Sequence, residues 1–169
     1  MGEVGILAPD KRVELIEGEI LEMSPIGPAH MMCVLMWSQV LGRLLGDRAL
    51  VSAQGPIAGG TQTEPQPDVA VLRAKADGYW DALPQPDEVL LIIEVSDSSL
   101  AFDRGQKVPL YARAGIPQVI VTNLVQGQLE SYTDPLNGVY RVLHSLGKGE
   151  RIELVSFPGL SVAAADVLR

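Results

Sequence analysis

The 169-residue chain is 47% apolar and 20% charged, the balance of a soluble globular protein long enough to bury a core. Its formal charge of -8 and isoelectric point near 4.7 exclude binding of nucleic acid across the whole surface, which leaves a local cluster of cations or a bound divalent ion as the routes to a polyanion. The single cysteine, Cys33, excludes an intrachain disulfide and, in its apolar setting, reads as a buried structural thiol.

Residues 1–11 read as a flexible N-terminus and residues 12–169 as a single domain. The start lacks a basic stretch followed by a long apolar run. No apolar segment reaches membrane-spanning length, because Gln39, Arg43 and Asp47 interrupt the longest one. A cytoplasmic protein without membrane association is the expectation. Val13 to Ile16 and Glu19 to Met23 predict a β-hairpin turning at Glu17-Gly18, where Gly18 supplies a positive φ. Pro25 and Pro28 end that unit. From Pro28 to Gly46 the apolar residues Val34, Trp37, Leu41, Leu44 and Leu45 recur at helical spacing, and Gly46 is a good stop. Met31, Met32, Leu35 and Met36 widen the apolar surface, as core or as a dimer contact.

Leu50 to Ala53 predicts a strand, and the Gly-, Pro- and Thr-rich segment 55–67 an irregular connection. Asp68 to Leu72 reads as a strand, residues 74–86 as an insertion, and Val89 to Val95 as a strand buried on both faces. Phe102 to Ala114 predicts a helix, with Pro109 requiring a late start or a kink. Gln118–Asn123, Gln128–Thr133, Val139–Leu143 and Ile152–Leu154 predict a meander of strands, and Ala163–Leu168 a short last helix. The order gives an α+β (mixed α/β) fold, a mixed sheet with helices packed on it, and not a regular βαβ alternation.

Glu94 lies near the end of the run Val89 to Val95, in which the other six residues are aliphatic. A carboxylate there must be paired, wetted by a loop, or used as a metal ligand or catalytic acid. Asp68 opens the preceding strand after the stiff approach Pro65-Gln66-Pro67. If the two strands are neighbours, about 4.8 Å apart, both carboxylates can meet at one end of the sheet and share a cation. Oxygen ligands select Mg²⁺ or Mn²⁺ rather than zinc.

The segments PQPDVAVLR and LLIIEVSDSSLAFDRGQKVPLYARAGIPQVIVTN resemble the Uma2 group (DUF820) of restriction endonuclease-like proteins, within the PD-(D/E)xK nuclease superfamily. The N-terminal VELIEGEILEMSP, His30 and the closing FPGLSV share the resemblance, which spans about residues 12–162. It implies a restriction endonuclease-like core in which a central mixed β-sheet is flanked by helices. It also implies Asp68 as the motif aspartate, Glu94 as the second acid, and Mg²⁺ or Mn²⁺ held by Asp68, Glu94 and the backbone carbonyl of Val95. The motif lysine two residues after Glu94 is replaced by Ser96, and Lys107 on the following helix is the substitute. Glu14 and Gln54 are expected to add contacts to the ion or its waters, and His30, Ser96 and Asp103 are further auxiliary candidates. Lys107 would orient or deprotonate the attacking water.

The same residues have structural readings. His30 could cap or brace its helix, and Asp103 could be a helix N-cap as well as a partner of Lys107. Ser98 and Ser99 read as helix caps, His144 as sheet surface, Trp37 and Tyr111 as core, and Arg43, Arg48, Arg104 and Arg113 as surface charges. Three functions follow. The first is a Mg²⁺-dependent endonuclease cutting DNA phosphodiester bonds. The second is a catalytically weak or inactive module of the same fold that binds nucleic acid or protein. The third is a hydrolase for another substrate such as a sugar, ranked last because only 5% of residues are aromatic. The long apolar helix predicts a homodimer.

Overall fold

The computed structural model describes residues 13–23, 25–76 and 78–169; the flexible segment expected at 1–11 lies outside them. Among the described residues, ten strands and one long helix organise the fold. β1 (Val13–Ile16) and β2 (Glu19–Glu22) form a hairpin. Its turn uses two left-handed residues, Glu17 at φ 51° and Gly18 at φ 87°, the pairing whose twist matches the strands. Met23, expected within the second strand, lies just beyond it.

α1 (Pro28–Leu45) starts with proline in its first turn, where a missing N–H costs nothing, and stops at Gly46, which has φ 53°. Among the described residues no helix is long and apolar enough to cross a membrane. The main sheet has the order β3 (Ala49–Ala53), β4 (Val69–Arg73), β5 (Val89–Ser96), β6 (Gln118–Asn123), β7 (Gln128–Leu136) and β8 (Val139–Leu146). All pairs are antiparallel except β5 with β6, so the sheet is mixed, as expected.

The two faces of the sheet carry separate cores. Val69, Val71, Leu91, Ile93 and Ile120 pack with Trp37, Leu41 and Leu45 of α1. Ala70, Ile92, Val119 and Val121 pack with Val108, Leu110 and Tyr111 and with Ile16 of the hairpin. Every residue of β5 is buried, which explains its unbroken apolar run. Cys33 is buried as expected, its thiol donating to the Val167 carbonyl at 3.4 Å and pushed up by burial to about 12.

Four expectations change. The crossover helix begins at Leu100 and is neither late nor simply kinked. It comprises α2 (Leu100–Phe102), a π-helical turn Asp103–Lys107, and α3 (Val108–Arg113). The Val108 N–H reaches back five residues to the Asp103 carbonyl, and this wider turn accommodates the Pro109 ring. β9 (Arg151–Glu153) leaves the meander and pairs with β10 (Ser161–Ala163), because Ile152 and Leu154 are needed in the α1 core and the Gln118 side chain bonds the Glu153 carbonyl and the Val155 N–H. The expected helix at 163–168 is therefore the end of β10 followed by a 3₁₀ turn Ala164–Asp166, with one helical bond from Leu168 to Ala164. β7 also runs on to Leu136. Pro135 is tolerated there because β6 pairing ends at Thr133.

Trp37 is fully buried, and its indole N–H donates to the Thr122 hydroxyl of β6 at 2.9 Å. Trp37→Phe is expected to cost about 2–4 kcal/mol, by loss of volume and of a buried hydrogen bond. A urea titration should show a lower midpoint at unchanged slope.

Candidate active site

The antiparallel register pairs Val69 with Ile93, so the next step outward sets Asp68 opposite Glu94. Opposed residues on neighbouring strands point to the same face. Asp68 Oδ2 accepts the Val95 N–H at 2.8 Å, tying the carboxylate to β5. Within a strand the N–H and C=O of one residue point to the same side, so the Val95 carbonyl also turns toward Asp68. His30, in the first turn of α1, approaches the same Oδ2 with Nε2 at 3.0 Å. Its Nδ1 is buried without a hydrogen-bond partner among the described residues.

Glu94 is 2% exposed and is gripped from the crossover helix. The Tyr111 hydroxyl donates to Oε1 at 2.6 Å, and Lys107 Nζ lies 3.3 Å from both carboxylate oxygens. Lys107 also lies 3.1 Å from Glu14 Oε2 of β1. Glu14 is held by the Gln66 N–H at 3.3 Å, and the hairpin is bridged to the Pro-rich approach at Leu15 and Glu64. The stiff segment before Asp68 thus also positions Glu14. Asp103 completes the cluster: its Oδ2 accepts the hydroxyls of Ser96 at 2.6 Å and Ser99 at 2.7 Å.

Two buried carboxylates, Glu14 and Glu94, therefore pair with one buried ammonium, and two more, Asp68 and Asp103, act on Glu94. Burial raises the Glu94 carboxyl to about 8 despite the pull of Lys107, and the charges of Asp68 and Asp103 add to the rise. Burial likewise raises Asp103, against the hydrogen bonds of Ser96 and Ser99. Burial works against the Lys107 ammonium, but Glu94, Glu14 and Asp103 outweigh it, so Lys107 titrates above the ordinary lysine value. Burial and Glu94 keep Tyr111 a phenol. Glu14, Asp68, Glu94, Asp103 and Lys107 border a cavity of about 430 Å³ whose lining also includes Leu21, Met23, Ile26 and Phe102.

Of the sequence candidates, Asp68, Glu94, Val95, Lys107, Glu14, His30, Ser96 and Asp103 converge. Gln54 touches the cluster only by its backbone N–H, which donates to the Asp68 carbonyl at 3.0 Å; its side chain is not among the cavity's lining groups. Ser99 stands at the helix start but makes no side-chain cap, and Asp103 lies inside the helix rather than capping it; both expectations give way to the Ser96–Asp103–Ser99 bonds. Tyr111, expected as core, packs there and also bonds Glu94. Its place four residues after Lys107, on the same helix face, was the available signal. Arg104 and Arg113 are paired with Glu130 and Glu17, and His144 is exposed on β8.

Among the described residues no group of three or more His, Cys, Asp or Glu is set to hold a metal. Two carboxylates with a carbonyl nevertheless suit Mg²⁺, which takes one or two protein carboxylates and fills its shell with water and phosphate oxygens. Asp68 Oδ1 makes no hydrogen bond within the described residues, so an oxygen remains for it.

A family model for Uma2, described as "Putative restriction endonuclease", matches residues 3–165. A crystal structure of a putative nuclease belonging to DUF820 from Anabaena variabilis ATCC 29413 superposes with a TM-score of 0.76 at 13% identity, covering 98% of this chain and 94% of that one. At that identity the likeness speaks for the fold, and it bears out the α+β architecture of a central mixed sheet flanked by helices. A search of curated proteins finds no match.

The Glu94 shift makes its own contribution to the pH dependence of stability. The folded state holds a proton that the unfolded chain releases above its ordinary value of 4.5, so the Glu94 contribution to stability is full below that value and is lost as pH rises through about 8. The ceiling is about 5 kcal/mol. Thermal melts in chelator from pH 5 to 8 should show this decline, and Glu94→Gln should flatten it. Tyr111→Phe removes a hydrogen bond that favours the carboxylate, so the Glu94 titration followed by carboxyl ¹³C NMR should move to higher pH.

Proposed function

Since the chain belongs to the Uma2 family, we propose that it is a Mg²⁺- or Mn²⁺-dependent endonuclease that hydrolyses DNA phosphodiester bonds at the Asp68–Glu94–Lys107 cluster. The observation that carries this reading is that facing positions of β4 and β5 bring two buried carboxylates, Asp68 and Glu94, to one end of the sheet, with Lys107 paired to Glu94. Asp68, Glu94 and the Val95 carbonyl would hold the ion, which when bound supplies phosphate polarisation and a water of lowered pKa.

The protein's own groups divide the remaining work. Lys107, kept as an ammonium by Glu14 and Glu94, orients the attacking water and offsets charge developing on phosphate oxygens. Its upward shift favours that role over proton removal. The Val95 N–H and His30 Nε2 fix the Asp68 rotamer by sharing Oδ2. Tyr111 fixes Glu94. The protein acts in the cytoplasm as one domain over residues 12–169. The apolar side chains Met31, Met32 and Leu35, about half exposed on α1, support a homodimer.

One observation favours a second reading, a catalytically weak or inactive module that binds nucleic acid or protein. Position 96 holds serine in place of the motif lysine, and Glu94 already has both oxygens engaged by Lys107 and Tyr111. Calorimetric titration with Mn²⁺ separates the two readings: the endonuclease binds the ion, and the inactive module does not.

With Mg²⁺ or Mn²⁺ present, DNA cleavage should disappear on chelation. Asp68→Asn and Glu94→Gln should each lower kcat at least about 100-fold, and Lys107→Met should do so by loss of charge stabilisation. Full activity in both carboxylate variants would reject the assignment. Gel assays with circular-dichroism checks of folding make the measurement.

A further inference from the structure

Resting on the nuclease reading, we propose that the cavity takes an unpaired stretch of DNA in preference to intact duplex, with Phe102 as the surface on which a base stacks. Three features of the site support this.

The first is depth. Asp68 and Glu94 are 7% and 2% exposed and border a cavity of about 430 Å³. A phosphodiester must enter the cavity to reach them. In a duplex each phosphate is fixed by stacked neighbours and a paired strand. Enzymes whose target is unreachable inside the duplex act on single strands or on extruded nucleotides, and the same constraint applies to a recessed pair of carboxylates.

The second is charge. The cavity wall adds Glu22 and Asp97 to the buried carboxylates, and its basic members are Lys107, shared by Glu14 and Glu94, and His30, engaged by Asp68. Arg104 and Arg113 of the crossover helix are neutralised by Glu130 and Glu17. Duplex DNA carries a charge about every 1.7 Å of axis, twice the density of one of its strands, and its binders gain affinity by neutralising phosphates with Lys and Arg. Among the described residues this rim has no such footprint.

The third is the apolar rim. Leu21, Met23, Ile26 and Phe102 offer contacts to bases rather than to phosphates, and Phe102 is only half-buried. Stacking on an aromatic ring needs no cation and accepts any base, but it needs the base out of its pair.

The test compares a fluorescent single-stranded oligonucleotide of about 15 nucleotides with its own duplex, by cleavage in Mn²⁺ and by anisotropy in Ca²⁺. Single strands should bind and be cut at least tenfold better. Raising salt from about 50 to 200 mM should weaken single-strand binding only about three- to sevenfold, as one or two phosphate contacts predict, against the thousandfold or more of a multi-contact duplex binder. Phe102→Ala should reduce single-strand binding about tenfold, and Phe102→Trp should retain it. Equal or better cutting of intact duplex would overturn the inference while leaving the nuclease reading in place. Binding of single strands without any cleavage would overturn the nuclease reading and keep the inference about what the cavity admits. Binding of neither form would overturn both.

Discussion

One buried positive charge holds the centre of this molecule together. Lys107 stands between Glu14 and Glu94 with almost no exposure to water, and Asp68 and Asp103 add two further buried carboxylates nearby. Removing one partner from a buried pair costs about 3–5 kcal/mol, because the other charge is stranded. Here the stranded groups would be several. The protein relieves the excess of negative charge by raising Glu94 and Asp103 and by surrounding Asp103 with two hydroxyls. A cation at Asp68 and Glu94 would relieve it more directly, which is the electrostatic content of the metal proposal.

The fold delivers these groups from four separate elements. β1 brings Glu14, the end of β4 brings Asp68, the rim of β5 brings Glu94, and the π-helical turn brings Asp103 and Lys107. The π turn has a particular consequence. It spans Asp103 to Lys107 and is followed by α3, so Lys107 and Tyr111 both reach Glu94 while Pro109 is still accommodated. The same helix carries Val108 and Leu110 into the core that also holds Tyr111, so packing and site geometry share a scaffold.

Much of this was legible in the residues. The unbroken apolar run of β5 marked a strand covered on both faces, and the acid at its end marked a problem that the fold had to solve. That Asp68 and Glu94 meet was conditional on their strands being neighbours, and the β4–β5 pairing meets that condition. What escaped had nonlocal causes. Tyr111 looks like any buried aromatic until Glu94 is placed beside it. The π turn has no sequence pattern beyond the awkwardness of Pro109. The detachment of β9 from the meander depends on Gln118, far away in the chain, capturing its backbone. Gln54 lay near Asp68 in the expected order of strands, yet a left-handed backbone at φ 53° accompanies its contact through the main chain alone.

The central claim is that Asp68 and Glu94 form one cation site with Lys107 retained beside it. Anomalous scattering from crystals soaked in Mn²⁺ tests it most directly. The account predicts a single peak within coordination distance of Asp68, Glu94 and the Val95 carbonyl, with Lys107 still bonded to Glu14. No peak there at saturating Mn²⁺, or an ion bound elsewhere with the Lys107–Glu94 contact intact, would contradict it.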